Sequence, residues 1–204
     1  MLSLAWQECK RDPKYIVCFL GVGAYKMIAV LAGNYFILWF TSFVDEGLIT
    51  EKESAELYQK VVIISSLVSF LTAPLCGMAG DRVPSKILVP CSYLLRAASG
   101  FLWTFAQVPE SFFVYFVAIL MGIGTGLEFI SISVLFYRGL PGKIRGTMQA
   151  AMTFFGTAGK LIFTLSGGHM FDHLGRNSPF IFQATADMVV VVAALILIWM
   201  GKLN

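Results

Sequence analysis

The chain has 204 residues, 57% hydrophobic and only 13% charged, with mean hydropathy +0.77 and a net charge of +3. A soluble domain carries about 25% charged residues, so this chain lacks the polar side chains to cover a water-facing surface. That excludes a soluble globular enzyme, and a small net charge summed over unlike regions gives no nucleic-acid-binding reading. The expected surroundings are a lipid bilayer.

Residues 1–14 are polar and charged, with no apolar core ahead of an A-x-A-like site, so they do not read as a cleavable signal. Six apolar stretches follow: Tyr15–Phe43, Val61–Met78, Ile87–Ala106, Phe112–Phe136, Met148–Ser166 and Phe180–Met200. Each approaches or exceeds the roughly 20 residues needed to cross a bilayer core, and each is apolar on all faces. Backbone groups in lipid must pair within their own segment, so the stretches read as helices. The short alternating segments of a β-barrel are absent. The prediction is an all-α transmembrane six-helix bundle over residues 15–200, with a tail at 201–204. The first span is over-long and should tilt or project from the bilayer.

The links are short. Link one, VDEGLITEKESAELYQK, places Glu53 three residues after Thr50, a capping-box pattern that predicts a short helix leading into the second span. Link two is GMAGDRVPSK, link three QVPES, link four RGLPGKIRG and link five GGHMFDHLGRNSP. Pro179 suits the first turn of the last span, Pro90 is expected early in the third, and Pro74 is expected to kink the second.

Charge orients the chain. Lys10, Arg11, Lys14, Arg82, Lys86, Arg138, Lys143, Arg145 and Lys202 fall on the termini and even-numbered links, against Lys52, Lys60 and Arg176 on the odd ones. Basic residues collect on the cytoplasmic side, which puts both termini there. Acidic residues lean the opposite way, with Asp45, Glu46, Glu51, Glu53 and Glu56 all near link one. Cys9, Cys18, Cys76 and Cys91 then lie in the reducing half as free thiols. No Cys/His spacing suits a metal, and His169 and His173 sit four apart without a third ligand, so neither metal nor cofactor is expected.

The stretch GMAGDRVPSK sets Asp81 beside Arg82 at a helix boundary. There a carboxylate can accept from the positive N-terminus of a neighbouring helix, while the planar guanidinium reaches a second acceptor. Gly77 and Gly80 should let helices approach closely. The stretch resembles the signature G-x-x-x-[DN]-R-x-G-R-[RK] of the major facilitator superfamily of secondary transporters. Gly77, Asp81, Arg82 and Lys86 match it, whereas Pro84 and Ser85 replace its Gly and Arg. PGKIRGTMQA is similar to that family's P-x-x-x-R-G start of the fifth helix. SGGHMFDHLGRNSPF is similar to its G-G-x-x-x-D-x-x-G-x-x-x-P-F link, through Gly168, Asp172, Gly175 and Arg176.

The resemblance implies half of a twelve-helix transporter, most like the C-terminal half, since LMGIGTGLEF lacks the arginine often found before the glycines of N-terminal halves. It implies alternating access, a second six-helix half from the same chain or another copy, and a small-molecule substrate. It also implies that Asp81 and Arg82 latch the cytoplasmic side; the other reading of that pair is a static anchor. GIGTG, lacking a strand–turn–helix setting, reads as close-packing glycines rather than a nucleotide loop.

Five ionisable residues fall inside spans: Lys26, Arg96, Glu128, Lys160 and Asp187. Each costs about 2.5–3.5 kcal/mol at the membrane centre if unpaired, so they should pair or line water. By the resemblance, the first and fourth helices of a half line the central cavity, which brings Lys26, Asn34 and Glu128 forward. Lys26 and Glu128 are expected there as a substrate contact, a mutual pair or a coupling-proton site. Lys160 and Asp187, judged to lie at similar depths, are expected to form a structural ion pair. Arg96 is expected to snorkel or to pair with Glu128. No buried nucleophile or acid pair suggests an enzyme. The alternative to a transporter is a non-transporting membrane subunit packed within a larger complex.

Overall fold

A computed structural model describes the backbone of residues 2–203 and the side chains of residues 7–203. The described residues are helical throughout, joined by short turns and without a strand. Helix α1 spans Leu2–Arg11. Helix α2 (Lys14–Val30) runs through a π-helical turn (Leu31–Tyr35) directly into α3 (Phe36–Asp45). Then follow α4 (Glu51–Arg82), α5 (Ser85–Trp103), α6 (Phe112–Tyr137), α7 (Arg145–Leu174) and α8 (Ser178–Trp199). Every predicted apolar stretch lies mainly on one of these helices. Among the described residues, four helical segments are long and apolar enough to cross a membrane: Lys14–Asp45, Glu51–Arg82, Phe112–Tyr137 and Ser178–Trp199.

Helix boundaries differ from expectation where the links were drawn too long. Thr50 does cap α4, accepting from the Glu53 N–H while the Glu53 carboxylate accepts from the Thr50 N–H at 2.7 Å. The helix it starts is not a separate short one: it continues without a break to Arg82. The link motif therefore shrinks to Val83–Pro84, and Asp81 and Arg82 sit on the last turn of α4. Likewise α7 absorbs GGHMFDHL and stops only at Gly175, whose φ of 94° favours a residue without a side chain. His169 and His173 are thus helical rather than loop residues. Pro179 occupies the first turn of α8 as expected, while Pro90 lies within α5.

The two ends of the bundle sort the links by parity. At one end the Lys14 Nζ donates to the Arg138 carbonyl at 2.6 Å and pairs with Asp12 at 3.0 Å, and a small crevice joins these residues to Lys202 and Leu203. Arg138 also reaches the Ser85 hydroxyl at 3.5 Å. At the other end Arg176 pairs with Glu46 at 2.7 Å and lies over the Phe43 ring at 4.0 Å. Beside it, the Trp39 indole donates to Asn177 Oδ1 at 2.9 Å, and the Asn177 amide donates to the Thr104 carbonyl at 3.2 Å. Consecutive long helices therefore run in opposite directions.

Close contacts fix the helix pairs. The glycines of GIGTG pack as read: a Cβ on Gly122 would strike the Ser65 carbonyl of α4, and one on Gly124 would lie 3.2 Å from the Arg96 Cα of α5. Spacing of two residues puts them on different faces, so one motif serves both neighbours. Gly80 does the same against Ile130 and Val134, at 2.9 and 3.1 Å, but Gly77 faces open space and brings no helix closer. α2 meets α7 through Gly23 and Gly159, where a Cβ on Gly159 would stand 2.5 Å from the Gly23 carbonyl.

The interior divides into two apolar cores. One gathers Tyr15, Val17, Cys18, Tyr93, Ile132, Phe136, Met148 and Val190. The other gathers Trp39, Phe43, Trp103, Val117, Met121, Phe163 and Phe180. Aromatic edges and faces knit the second, with Trp103 stacked on Phe180 and edge-on to Phe36.

Candidate functional site

Each helix that contributes to both cores passes from one to the other through an ionisable residue. Lys26 lies between Ala24 and Met27 on α2, and Arg96 between Tyr93 and Trp103 on α5. Glu128 lies between Met121 and Ile132 on α6, Lys160 between Met152 and Phe163 on α7, and Asp187 between Phe180 and Val190 on α8. The five form one polar belt between the cores.

The belt splits into two parts. Arg96, Glu128 and Asp187 are completely buried at the meeting of α5, α6 and α8, close enough for their charges to act on one another. Among the described residues they form no ion pair within 4.0 Å: both Glu128 carboxyl oxygens, Asp187 Oδ2, and the Arg96 Nε and Nη2 have no hydrogen-bond partner there. The Arg96 Nη1 reaches only the Ser99 hydroxyl, at 3.5 Å. Asp187 Oδ1 accepts from the Gln183 amide at 3.0 Å, and the same amide nitrogen donates to the Ala24 carbonyl of α2 at 3.1 Å. Just below, the Ser92 and Ser131 hydroxyls join α5 to α6 at 2.8 Å.

The second part is open. Lys26 and Lys160 line a cavity of about 330 Å³ between α2, α6 and α7. Tyr25, Ser133, Gln149, Thr153 and Thr157 share its wall, and no acidic residue does. Gly156 makes room for the Lys26 stem, since a Cβ there would stand 2.9 Å from the Lys26 Cγ. The Lys26 ammonium lies 5.5 Å from the centre of the Tyr25 ring.

This corrects the expected pairings. Lys26 does face a cavity, but its companion is Lys160 and not Glu128, which points into the bundle. Lys160 and Asp187 form no bridge, because α7 turns Lys160 to the cavity while α8 turns Asp187 toward Arg96 and Gln183. Arg96 does not snorkel: it is wholly buried, beside both acids. Asn34 sits exposed on the π-helical turn, outside the Lys26 cavity. That turn is anchored instead by its neighbour Tyr35, whose hydroxyl donates to the Phe163 and Thr164 carbonyls at 3.3 and 3.2 Å.

The motif residues at the helix ends fare differently from one another. Asp81, Arg82 and Lys86 are exposed and make no hydrogen bond or ion pair among the described residues. Arg176 is engaged with Glu46, whereas Asp172 is exposed and a Cβ on Gly168 would meet open space. Gln183, Gln149 and Asn177 were missed by sequence reading. Two of them carried a signal: Gln183 precedes Asp187 by one helical turn, and Gln149, Thr153, Thr157 and Lys160 make a polar stripe at helical spacing.

A bundle of long apolar helices with ionisable residues held inside it has the architecture of a membrane protein. The model of the Major Facilitator Superfamily matches residues 27–202, and the chain belongs to that superfamily. It is 27% identical over 195 residues to the magnetosome protein MamZ of Paramagnetospirillum magneticum, a match covering 95% of this chain and 30% of MamZ. MamZ of Magnetospirillum gryphiswaldense gives the same figures. The magnetosome protein MamH of P. magneticum is 22% identical over 190 residues, covering 93% of this chain and 44% of MamH. The chain thus spans less than half the length of these relatives.

Proposed function

We propose that this chain is one six-span half of a secondary transporter that moves a small solute across a membrane by alternating access. In this reading both termini are cytoplasmic, the second half packs over the α2–α6–α7 face, and the solute passes between them. The polar belt carries the reading, because five ionisable groups held between two apolar cores are expensive in a bundle that only anchors or scaffolds. A transport path needs such a layer: it must offer contacts to a polar solute halfway across.

The two parts of the belt take different roles. Lys26 and Lys160 meet the solute in the cavity. Glu128 and Asp187, sharing Arg96 without contacting it, form a proton-exchanging group that couples solute movement to a proton gradient. Asp81, Arg82 and Lys86 are free in this arrangement, available to latch against the second half when the cytoplasmic side closes. Since its relatives are magnetosome proteins, the membrane we propose is that of the magnetosome.

Uptake into proteoliposomes by the full-length protein tests this. Solute accumulation driven by a pH gradient, abolished by Glu128→Gln and by Arg82→Gln, is expected. Solute exchange that survives both variants, or a full-length protein that binds a partner complex and moves no solute, overturns it.

A further inference from the structure

The open cavity has an unbalanced charge, which narrows what it can hold. Two lysines line it and, among the described residues, no carboxylate does and neither lysine has an ion-pair partner. Glu128, the acid nearest in sequence to the wall residues Phe129 and Ser133, is turned into the bundle and wholly buried. Like charges gathered on one cavity wall repel, and the helices could relieve this by moving apart. They are held instead: Gly159 brings the α7 backbone onto Gly23, and Gly156 fits over the Lys26 stem.

The polar neighbours add donors. Gln149 accepts the Tyr137 hydroxyl at 2.6 Å through Oε1, which leaves its amide NH₂ free to donate into the same space. The Arg145 guanidinium lies 5.8 Å from the ring of Tyr137, a wall residue, and adds positive charge on that side. At about 330 Å³ the cavity is within the size range of small-ligand sites, about 300–1,000 Å³.

From this we infer that the cavity binds a small oxyanion, a carboxylate or phosphate-like solute, held between the Lys26 and Lys160 ammonium groups with Gln149 as a neutral donor. The inference rests on reading this cavity as the solute site of the proposed transporter. A bound anion supplies the countercharge that the chain omits, and charge-assisted contacts of this kind are the stronger class of hydrogen bond.

The test uses the full-length protein in lipid nanodiscs, with inorganic phosphate, sulfate and citrate as probes at matched ionic strength. At least one should raise the thermal midpoint with a saturating dose dependence. In Lys26→Gln/Lys160→Gln, affinity should fall by about tenfold or more, and in Lys60→Gln it should not change. If none of the three binds, or if binding survives the double substitution, the inference is overturned. A ligand-free measurement stands should the double variant fail to fold. With Thr157→Cys in a Cys9→Ser/Cys91→Ser background, an anionic methanethiosulfonate should react faster than a cationic one, and Lys26→Gln should shrink the difference. Faster reaction of the cationic reagent overturns the inference. Anion binding without any uptake would strike the transport reading alone, and uptake without anion binding would strike this inference alone.

Discussion

The two parts of the charged belt occupy one layer of the bundle and solve the same problem in opposite ways. Arg96, Glu128 and Asp187 are buried together, so their charges act on one another inside the protein without direct contact. Lys26 and Lys160 are grouped by sign and left facing a cavity, so their compensation must come from outside. The first arrangement ties stability to the protein's own partners; the second ties it to solvent or ligand. Ionisable residues of one layer thus face one another inside the bundle in one place and an open cavity in the other.

Removing one member of each part tests that contrast most sharply. Arg96→Met leaves two buried acids without their cation and should cost about 3–5 kcal/mol, seen as lost monodisperse protein in detergent or a collapsed thermal midpoint. Lys26→Met should change stability by less than about 0.5 kcal/mol. Equal losses at both positions would break the distinction.

Next in size is the contact that forms the cavity. Gly159→Val places side-chain atoms where the Gly23 backbone now lies and should cost about 1–3 kcal/mol, while Gly168→Val on the same helix meets open space and should be silent. Thermal unfolding of the two variants side by side checks this. A silent Gly159→Val would mean that α2 and α7 do not hold the lysines together.

The ends of the bundle extend the contrast to its surface. Trp39→Phe removes the donor to Asn177 and should cost about 1 kcal/mol. Thr50→Ala removes the α4 cap and should cost about as much, about 1 kcal/mol, in the same unfolding assay. The Glu53 carboxyl, held below the usual glutamate value of 4.5 first by the Thr50 N–H and then by its hydroxyl, gives that cap a pH dependence. With the folded value depressed, the stabilisation is complete above 4.5 and fades as pH falls through the lower folded value. Thr50→Ala, which keeps the N–H and loses only the hydroxyl, should lessen this acid dependence without abolishing it. Smallest of all is Asp81→Asn, which breaks no contact in this arrangement and should leave the midpoint unchanged while lowering uptake. A clear loss of stability there would show that the motif is an anchor and not a latch.

Much was legible without coordinates, and for definite reasons. Helices were readable because lipid leaves the backbone no other partner. The Thr50–Glu53 cap and the GIGTG packing were readable because both depend on spacing within one segment. Helix ends were not: Asp81, Arg82, His169 and His173 looked like loop residues because polar composition resembles a link whether or not the backbone remains helical. The π-helical turn at Leu31–Tyr35 also left no signal, since an extra residue per turn costs nothing in composition.

The sequence by itself determined that this is a bundle of apolar helices with ionisable residues inside it, because burial in lipid selects residue type position by position. Which charges meet was decided only by the tertiary structure. Partnership depends on helix rotation, and a residue's neighbour across an interface changes with each 100° step around the axis. The rotation is set by where glycines let backbones touch: Gly122 and Gly124 seat α6 between α4 and α5, and Gly159 seats α7 on Gly23. Those contacts turned Glu128 toward Arg96 and Lys160 toward Lys26, and so divided one set of charges within the spans into a closed cluster and an open site.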